Sequence, residues 1–414
     1  MKLVIAEKPS VAMALASVLG ARTRKDGYVE GNGYIVSWCV GHLVGLCDAS
    51  EYDEKYKKWR YEDLPIVPEC WKHKILEGTK KQFGILKKLM RDSKVDEVIC
   101  ATDAGREGEL IFRLVYEQAG CKMPMKRLWI SSMEEQAIKD GFSSLKDGSC
   151  YDSLYQSALC RAKADWLVGI NASRLFSVLY NQNLKVGRVQ TPTLAMIVDR
   201  NQKIKEFTKE KYYMAHIKFD DMDAVTEHFQ KKEDADKVAA ECQERMCEVE
   251  KDDVKEKTVR PPKLYDLTTL QREANRMFGY TAQQTLDAVQ EMYEQKLVTY
   301  PRTDSQYLTD EMGESTETLI QMLLGKMPYA EGLEYQPDVS KVLNSKKVSD
   351  HHAIIPTVEV AKADIGKLKE RNSKILYLIS ARVLTATADP YIYESHKCQI
   401  TCNYHTFYLT AKKT

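Results

Sequence analysis

The chain has 414 residues, of which 43% are hydrophobic and 29% are charged, enough apolar material for about two to four domains with buried cores. Its 61 basic and 60 acidic residues leave a net charge of +1, which excludes a protein coated in positive charge but not a local basic groove. The 11 cysteines show no metal-ligand spacing, and no apolar run reaches the length of a membrane span. We therefore expect reduced thiols and a cytoplasmic protein with no membrane partner.

Short apolar runs and helical patterns alternate over roughly the first 150 residues. A strand at residues 3–6 precedes a helix that begins at Pro9 and ends before Gly20. The same order recurs at residues 96–120, where VICA is a strand, DAGREGE is a turn and a helical pattern follows. This alternation predicts an open α/β sheet with its chemistry at the carboxyl ends of the strands.

The predicted domains after residue 150 differ in composition. They are a helical segment at 151–210, a β-rich connector at 211–262 and 387–414, and a helical insertion at 263–386. Within the connector, the charged stretch 230–259 predicts an amphipathic helix and a solvated linker. The strand pattern is barely closed at Thr414, so we expect the N-terminal portion of something longer.

Acidic side chains follow two predicted strands directly. Glu7 ends the first strand and Asp103 the second, with Glu107 and Glu109 just beyond in a glycine-rich loop. The alternative is that Asp103 caps a helix and Glu107 supports its N-terminal dipole. The stretch GREGE is not a Walker A loop, because the Gly-Lys-Ser/Thr ending is absent. Paired carboxylates suit Mg²⁺, which binds through one or two of them and keeps its waters, so the two strand ends favour a metal site.

Five motifs occur in order along the chain: IAEKPSVA, ATDAGREGELI, KVGRVQTPTL, TYPRTDS and HHAIIPT. Together they resemble type IA DNA topoisomerases, and specifically the bacterial topoisomerase III kind. The resemblance implies a Toprim α/β domain at 1–150 and a helical, tyrosine-bearing domain inserted in a β-rich connector, within a toroidal core. It implies ATP-independent cleavage, strand passage and religation through a 5′-phosphotyrosine, with relaxation of negative supercoils and decatenation.

The resemblance also assigns catalytic residues. Tyr300 is implied to be the nucleophile and Arg302 its neighbouring cation. Lys8 would position the scissile phosphate or protonate the leaving oxygen. His351, rather than His352, would lie near the active site.

The same resemblance places the metal ligands in the first domain. Glu7 and Asp103 would hold Mg²⁺, with Glu107 as a third ligand, and Glu7 would also take part in catalysis. Gly105 stands where the family usually has a second aspartate. We therefore expect one Mg²⁺ rather than two.

Single-stranded DNA is the expected partner, because cations with an interleaved aromatic side chain suit its backbone and bases. Spacing suggests Arg161, Trp166 and Arg174 as contacts. The resemblance implies the further contacts Lys185, Val186, Gly187, Arg188, Val189, Gln190, Trp59 and His42. From spacing alone, Trp166 could equally belong to the core and the arginines to the solvated surface. We expect a monomer, and a helicase stays open as a further partner.

The chemistry explains why a tyrosine would need cations beside it. A free phenol has a pKa of about 10, so its ionisation at neutral pH costs roughly 4 kcal/mol. A guanidinium two residues away can lower that cost and stabilise charge on phosphate oxygens. The alternatives are a non-catalytic fragment that binds single-stranded DNA, and a Toprim nuclease or primase. The second leaves Tyr300 and Arg302 without a task.

Overall fold

The computed structural model describes residues 1–131, 133–332, 336–348 and 351–414. They form two compact units. The first contains residues 1–196 and the described parts of 263–334 and 339–386; the second contains residues 197–262, the described part of 335–338 and residues 387–414. Among the helices of these ranges, none combines the length and apolar character needed to cross a bilayer.

The described part of the first unit is built on a seven-stranded sheet. The strands of this sheet are β1 Lys2–Ala6, β2 Thr23–Lys25, β3 Tyr28–Gly31, β4 Tyr34–Trp38, β7 Glu97–Ala101, β8 Met125–Arg127 and β9 Lys146–Asp147. Two further strands, β5 Val44–Leu46 and β6 His73–Ile75, form a separate pair. The strand order is β2-β3-β4-β1-β7-β8-β9. Because β1 is parallel to both β4 and β7, the carboxyl ends of the central strands lie at one edge.

Helices follow the strands as the sequence predicts. They are α1 Pro9–Leu19, α2 Lys80–Leu89, α3 Arg106–Ala119, α4 Glu135–Ser143, α5 Asp152–Tyr180 and α6 Gln190–Lys205. Helices α1 and α3 end at Gly20 (φ 75°) and Gly120 (φ 67°), left-handed conformations that glycine adopts without steric cost. Leu110 and Phe112 of α3 share one apolar core with Leu3 of β1. The predicted α/β sheet is thus confirmed.

The second unit is a five-stranded antiparallel sheet within the described residues. Its elements are β10 His216–Phe219, β11 Met222–Val225, α7 Lys232–Cys242, β12 Glu248–Val259, β13 Tyr391–Cys402 and β14 His405–Lys413. The strand order is β10-β11-β14-β13-β12. The predicted charged helix is present as α7, but the predicted linker is wrong, because residues 248–259 form β12. This strand pairs with β13 at the sheet edge and exposes both faces, so its charged side chains show no alternation.

The described part of 263–386 is mainly helical. Its helices are α8 Leu267–Phe278, α9 Ala282–Glu294, α10 Gly313–Lys326 and α11 Glu370–Ala386. Asp266 caps α8 by accepting a hydrogen bond from the backbone N of Thr269, and Thr281 caps α9 in a reciprocal pair with Gln284. After α9 the chain is extended, and the backbone N of Thr299 donates to the carbonyl of Ile355 at 3.0 Å. This extended segment carries Tyr300.

Candidate active site

Glu7 and Asp103 meet at the carboxyl edge of the central sheet. Ala6 of β1 pairs with Ala101 of β7, so each acid emerges at the same edge. The backbone N of Asp103 donates a hydrogen bond to Glu7 Oε2 at 3.3 Å. Burial and the Asp103 charge raise the pKa of Glu7 to about 7, and burial also raises the pKa of Asp103. Two carboxyl groups that raise each other's pKa in this way would be stabilised in their charged form by a bound cation.

Tyr300 reaches these acids from the extended segment after α9. Its hydroxyl donates a hydrogen bond to Asp103 Oδ2 at 3.0 Å, and its backbone N donates to the carbonyl of Ser131 at 3.3 Å. The residue is only 9% exposed. Its ring packs against those of His351 and Tyr293, with centroid separations of 4.3 Å and 5.3 Å. Tyr300 is therefore fixed by its backbone, its ring and its hydroxyl, with the oxygen directed at the acidic edge.

The surroundings of the Tyr300 hydroxyl oppose its ionisation in this state. Burial, followed by the charges of Asp103 and Glu7, raises the pKa of Tyr300 above that of a free phenol. Arg302 lowers that pKa, as the sequence predicts, but burial and the two acids outweigh it. The phenol consequently stays protonated until more positive charge arrives at the edge of the sheet.

Lys8 and Arg302 are the predicted cations of the site, and their environments differ. Lys8 Nζ lies 3.4 Å from Glu294 Oε1 at the end of α9, and both side chains are about one-third exposed (35% and 32%). The guanidinium of Arg302 is exposed, and within the described residues it makes no hydrogen bond or ion pair. Lys8 is thus partly neutralised by the protein, whereas Arg302 is available to an anion.

The two adjacent histidines point to different partners. The Nδ1 of His351 lies 3.2 Å from Ser131 Oγ, and burial lowers the pKa of His351 to about 4, so its ring is neutral near neutral pH. His352 instead hydrogen-bonds the carbonyl of Ala353 through Nδ1 at 2.8 Å. The ring beside Tyr300 is therefore that of His351.

One cavity of ≈ 530 Å³ brings most of the predicted active-site residues together. The predicted residues on its wall are Glu7, His42, Asp103, Glu107, Arg161, Tyr300, Arg302 and His351. Residues from the sheet edge, from α5 and from the extended segment after α9 thus face the same space. The volume is large enough for a small part of a substrate, with Tyr300 at the boundary.

Glu107 lines this cavity, but its carboxylate is held by two neighbouring side chains. Its Oε1 lies 3.0 Å from His42 Nε2 and its Oε2 lies 3.7 Å from Arg161 Nη1. These contacts, the His42 hydrogen bond first, lower the pKa of Glu107. Nowhere in the described ranges do three metal-ligating side chains come together. The candidate pair therefore consists of Glu7 and Asp103, and the role of Glu107 as a third ligand stays a prediction.

A buried ion pair fixes the strand end that carries Asp103. Glu109 and Arg127 are each 1% exposed, and Arg127 Nε lies 3.1 Å from Glu109 Oε2, a charge contact rather than an aligned hydrogen bond. The terminal nitrogens of Arg127 donate at 2.7–3.1 Å to three carbonyls at the end of β7, those of Cys100, Thr102 and Asp103. Glu109 is consequently structural, and Arg127 holds the backbone from which Asp103 projects.

The residues of α5 that are predicted to contact DNA do not share one exposed surface. Trp166 packs edge-on against two aromatic rings and donates its Nε1 hydrogen to the carbonyl of Cys47 at 2.9 Å. Arg174 is 6% exposed, and its guanidinium lies 5.3 Å from the ring centre of Trp59. Arg161 is exposed and belongs to the active-site cavity. The polar groups of Arg174 and Trp166 are thus covered by the protein, and their contact with DNA stays a prediction.

The segment 185–190 runs along α5 and is held to it by polar contacts. Ser173 Oγ hydrogen-bonds both the backbone N and the carbonyl of Val186, at 2.9 Å and 3.2 Å. Arg188 Nε donates to Asp165 Oδ1 at 2.7 Å. Val186 and Gly187 are half-buried, and the exposed members are Lys185, Arg188, Val189 and Gln190. The segment thus offers a solvent-facing polar surface, on which Arg188 already has Asp165 as a partner.

Comparison with known proteins identifies the family. A family model described as DNA topoisomerase matches residues 149–414, and a Toprim domain model matches residues 2–133. The chain belongs to the DNA topoisomerase family. The type IA, topoisomerase III-like resemblance of its motifs is thereby confirmed.

Relatives of this DNA topoisomerase family member include DNA topoisomerase 3 of Shouchella clausii, 43% identical over 97% of this chain and 57% of the relative. The corresponding protein of Staphylococcus haemolyticus is 40% identical over 100% of this chain and 59% of the relative. The chain therefore spans less than two thirds of the length of these relatives. The solved structure of full-length topoisomerase I from Thermotoga maritima matches with a TM-score of 0.73 and 24% identity, over 99% of this chain and 65% of that one. This likeness supports the fold.

Several residues at the site of this topoisomerase family member carry no clear sequence signal. Ser131 accepts from the Tyr300 backbone and contacts His351, yet nothing around it forms a motif. Glu294 is one of many acids on helices, and only the fold brings it to Lys8. Arg106 also lines the cavity, and the sequence does give a signal for it, because it lies inside the GREGE stretch.

Proposed function

We propose that this chain carries the active site of a topoisomerase III-like enzyme, which cuts and reseals one DNA strand without ATP. The observation that carries the proposal is the hydrogen bond of 3.0 Å from the Tyr300 hydroxyl to Asp103 Oδ2, in a cavity that also exposes Arg302. A nucleophile, a proton acceptor and an exposed guanidinium in one place suit transfer of a phosphodiester to tyrosine.

The reaction follows from these positions. The Tyr300 oxygen attacks a backbone phosphorus, forms a bond to the 5′-phosphate and breaks the bond to O3′, which leaves a free 3′-hydroxyl. Asp103 Oδ2 accepts the phenol proton, and Lys8 supplies a proton to the departing O3′. Arg302 binds the charged phosphate oxygens with its planar fork. The phosphotyrosine bond retains the energy of the broken link, so the 3′-hydroxyl can reverse the reaction.

His351 contributes a neutral ring to this arrangement. Its Nδ1 lies 3.2 Å from Ser131 Oγ, its Nε2 is buried without a well-aligned hydrogen bond among the described residues, and the ring also interacts with the backbone of Ala104. A phosphate oxygen in the cavity can accept a hydrogen bond from Nε2 when that nitrogen carries the proton. His351 therefore orients the phosphate and does not add charge to it.

The donor set at the sheet edge fits one Mg²⁺. Glu7 and Asp103 supply hard carboxylate oxygens, and burial followed by the Asp103 charge raises the pKa of Glu7, a cost that a bound cation would relieve. When bound there, the ion supplies positive charge that the phosphate needs as it is attacked. Glu7 and Asp103 hold it in place, while Glu107 stays with His42 and Arg161.

Metal binding can be measured without any DNA. We expect isothermal titration with Mg²⁺ to show one ion per chain, and Glu7→Gln to weaken its binding at least about tenfold, because half of the donor pair loses its charge. Glu107→Gln is the matched control and should change the affinity little. Equal losses in both variants would contradict the two-carboxylate site.

An oligonucleotide assay tests the function itself. Single-stranded DNA labelled at either end is incubated with the chain and Mg²⁺, and the mixture is then denatured. We expect the 3′-end label to stay with the protein and the 5′-end label to be released, because tyrosine keeps the 5′-phosphate. Release of both labels on cut DNA would indicate a Toprim nuclease. Binding without any cut would favour the single-strand-binding alternative.

The change in DNA topology is proposed for the whole topoisomerase III-like enzyme that carries this active site. We propose relaxation of negative supercoils and decatenation at single-stranded regions of bacterial DNA in the cytoplasm, by a monomer. The names of the relatives, DNA topoisomerase 3, support this, as does the placement of segment 185–190 on a solvent-facing surface beside α5. The exposed cations Lys185 and Arg188 are the residues of that segment that we propose to contact the DNA backbone.

The ion pair of Lys8 with Glu294 leads to a prediction about DNA affinity. We expect Glu294→Gln to raise the affinity for a single-stranded oligonucleotide about two- to fivefold, because DNA no longer displaces Glu294 from Lys8. The range follows from the modest strength of exposed ion pairs. Fluorescence anisotropy at fixed salt measures the change.

Glu291→Gln on the same helix is the control for this prediction. Glu291 pairs with Lys369 at 2.8 Å, so the substitution removes the same charge without touching Lys8. An equal gain in both variants would show a general charge effect and not release of Lys8.

A further inference from the structure

A second cavity adjoins the active-site cavity in the first unit. It measures ≈ 510 Å³ and is lined by the start of α8, by the chain just after Tyr300 and by Arg106 at the start of α3. Three residues, Arg106, Arg302 and His351, line both cavities. They therefore form a common wall, with the Tyr300 hydroxyl on one side of it and an open space on the other.

The two arginines of this wall are free to bind an anion. Both side chains are exposed, and in the described part of the chain neither makes a hydrogen bond or an ion pair. By contrast, Arg161, the other arginine at the active site, is held by Glu107 and Asp165. Each guanidinium offers five N–H donors in a fork that matches phosphate geometry. Arg302 can accordingly contact two phosphates, one in each cavity.

The acids beside the second cavity limit its charge but do not cancel it. Asp266 is committed to the start of α8, since it accepts hydrogen bonds from the backbone N of Thr269 at 2.6 Å and from Gln306 Nε2 at 3.0 Å. Asp304 also interacts within the protein. The start of α8 adds a partial positive charge of its own. An anion is therefore favoured here only when both guanidiniums contribute.

We infer that Arg106 and Arg302 together bind the DNA backbone phosphate next to the one that Tyr300 attacks. The inference rests on the proposed function and assigns Arg106 a positioning role that the motifs do not give it. A phosphate fixed in the second cavity sets the strand's register, because the neighbouring phosphodiester is then held at the Tyr300 oxygen. Arg302 contacts both this phosphate and the one that Tyr300 attacks, so binding of the first positions the second.

The test measures binding of short single-stranded oligonucleotides in which one phosphate at a time is replaced by an uncharged methylphosphonate. It uses the Tyr300→Phe background, so that no DNA is cut. We expect one position to weaken binding about tenfold, and Arg106→Ala to weaken binding of unmodified DNA by a similar factor. In the Arg106→Ala variant, a methylphosphonate at that same position should no longer weaken binding, because the variant and the replacement remove the same contact. In Arg106→Ala, the slope of the logarithm of the binding constant against the logarithm of the salt concentration should become less steep by about 0.7.

Two variants serve as controls for Arg106→Ala. Arg24→Ala removes an exposed arginine from β2 at the far edge of the sheet and should keep the full position effect. Arg106→Lys keeps the charge without the fork and should retain part of the effect. The inference is overturned if Arg106→Ala leaves every position as sensitive as before, or weakens binding no more than Arg24→Ala. Because the readout is binding, absence of a covalent complex in the wild-type chain would overturn the proposed function alone.

Discussion

Tyr300→Phe is expected to abolish covalent attachment of single-stranded DNA, by at least about a thousandfold, because the variant lacks the only atom proposed to attack phosphorus. The substitution removes one oxygen and keeps the ring that packs against His351 and Tyr293. Attachment is measured by incubating the protein with 3′-labelled oligonucleotide and Mg²⁺ and then denaturing the mixture. Binding of the same oligonucleotide should stay within a few fold of wild type, since no cation is lost.

Tyr293→Phe is the matched control for the loss of the Tyr300 oxygen. Tyr293 is 4% exposed and its ring lies 5.3 Å from that of Tyr300, so both variants remove a hydroxyl from the same region. Attachment should survive in Tyr293→Phe. Attachment that persists in Tyr300→Phe would assign the nucleophile to another residue and end the proposal.

Arg127→Met is expected to destabilise the first unit by about 3–5 kcal/mol, because it leaves Glu109 buried with less compensation and removes donors from three carbonyls at the end of β7. Methionine fills much of the same volume, so packing is largely kept. Urea unfolding followed by tryptophan fluorescence suits the measurement, since all 5 tryptophans lie in residues 1–196.

The neighbouring Lys126 provides the control for this prediction. It is on the same strand, but its partner Asp147 lies 3.5 Å away, and the two side chains are 34% and 60% exposed. Lys126→Met should leave the unfolding midpoint nearly unchanged, because exposed ion pairs contribute little. If both variants unfold at the wild-type midpoint, the buried pair does not support the strand end.

The strand ends show what the sequence could predict about the site. Glu7 and Asp103 follow apolar runs, and parallel strands place successive carboxyl ends at one edge, so their meeting follows from the pattern. The motif of Tyr300 likewise marks a nucleophile by resemblance. Local pattern was sufficient here because each residue is positioned by its own strand or turn.

Other features depend on contacts between distant segments and could not be predicted. The burial of Arg127 and Glu109 follows from their mutual pairing, although both are usually surface residues. Trp166 looked like a stacking platform, but its indole hydrogen goes to the Cys47 carbonyl. In β12, pairing with β13 rather than side-chain alternation makes the strand, so a charged sequence concealed it.

The hydrogen bond between Tyr300 and Asp103 has a consequence for the proposed active site when no DNA is bound. In a cell, an activated phenolate left open to solvent would be a hazard, since any passing strand could be nicked. Here the oxygen is shielded, protonated and tethered to an acid, while Lys8 is occupied by Glu294. In the proposed function, the groups that restrain the Tyr300 oxygen are the same groups that DNA would engage, so an incoming strand would both release the restraint and become the substrate.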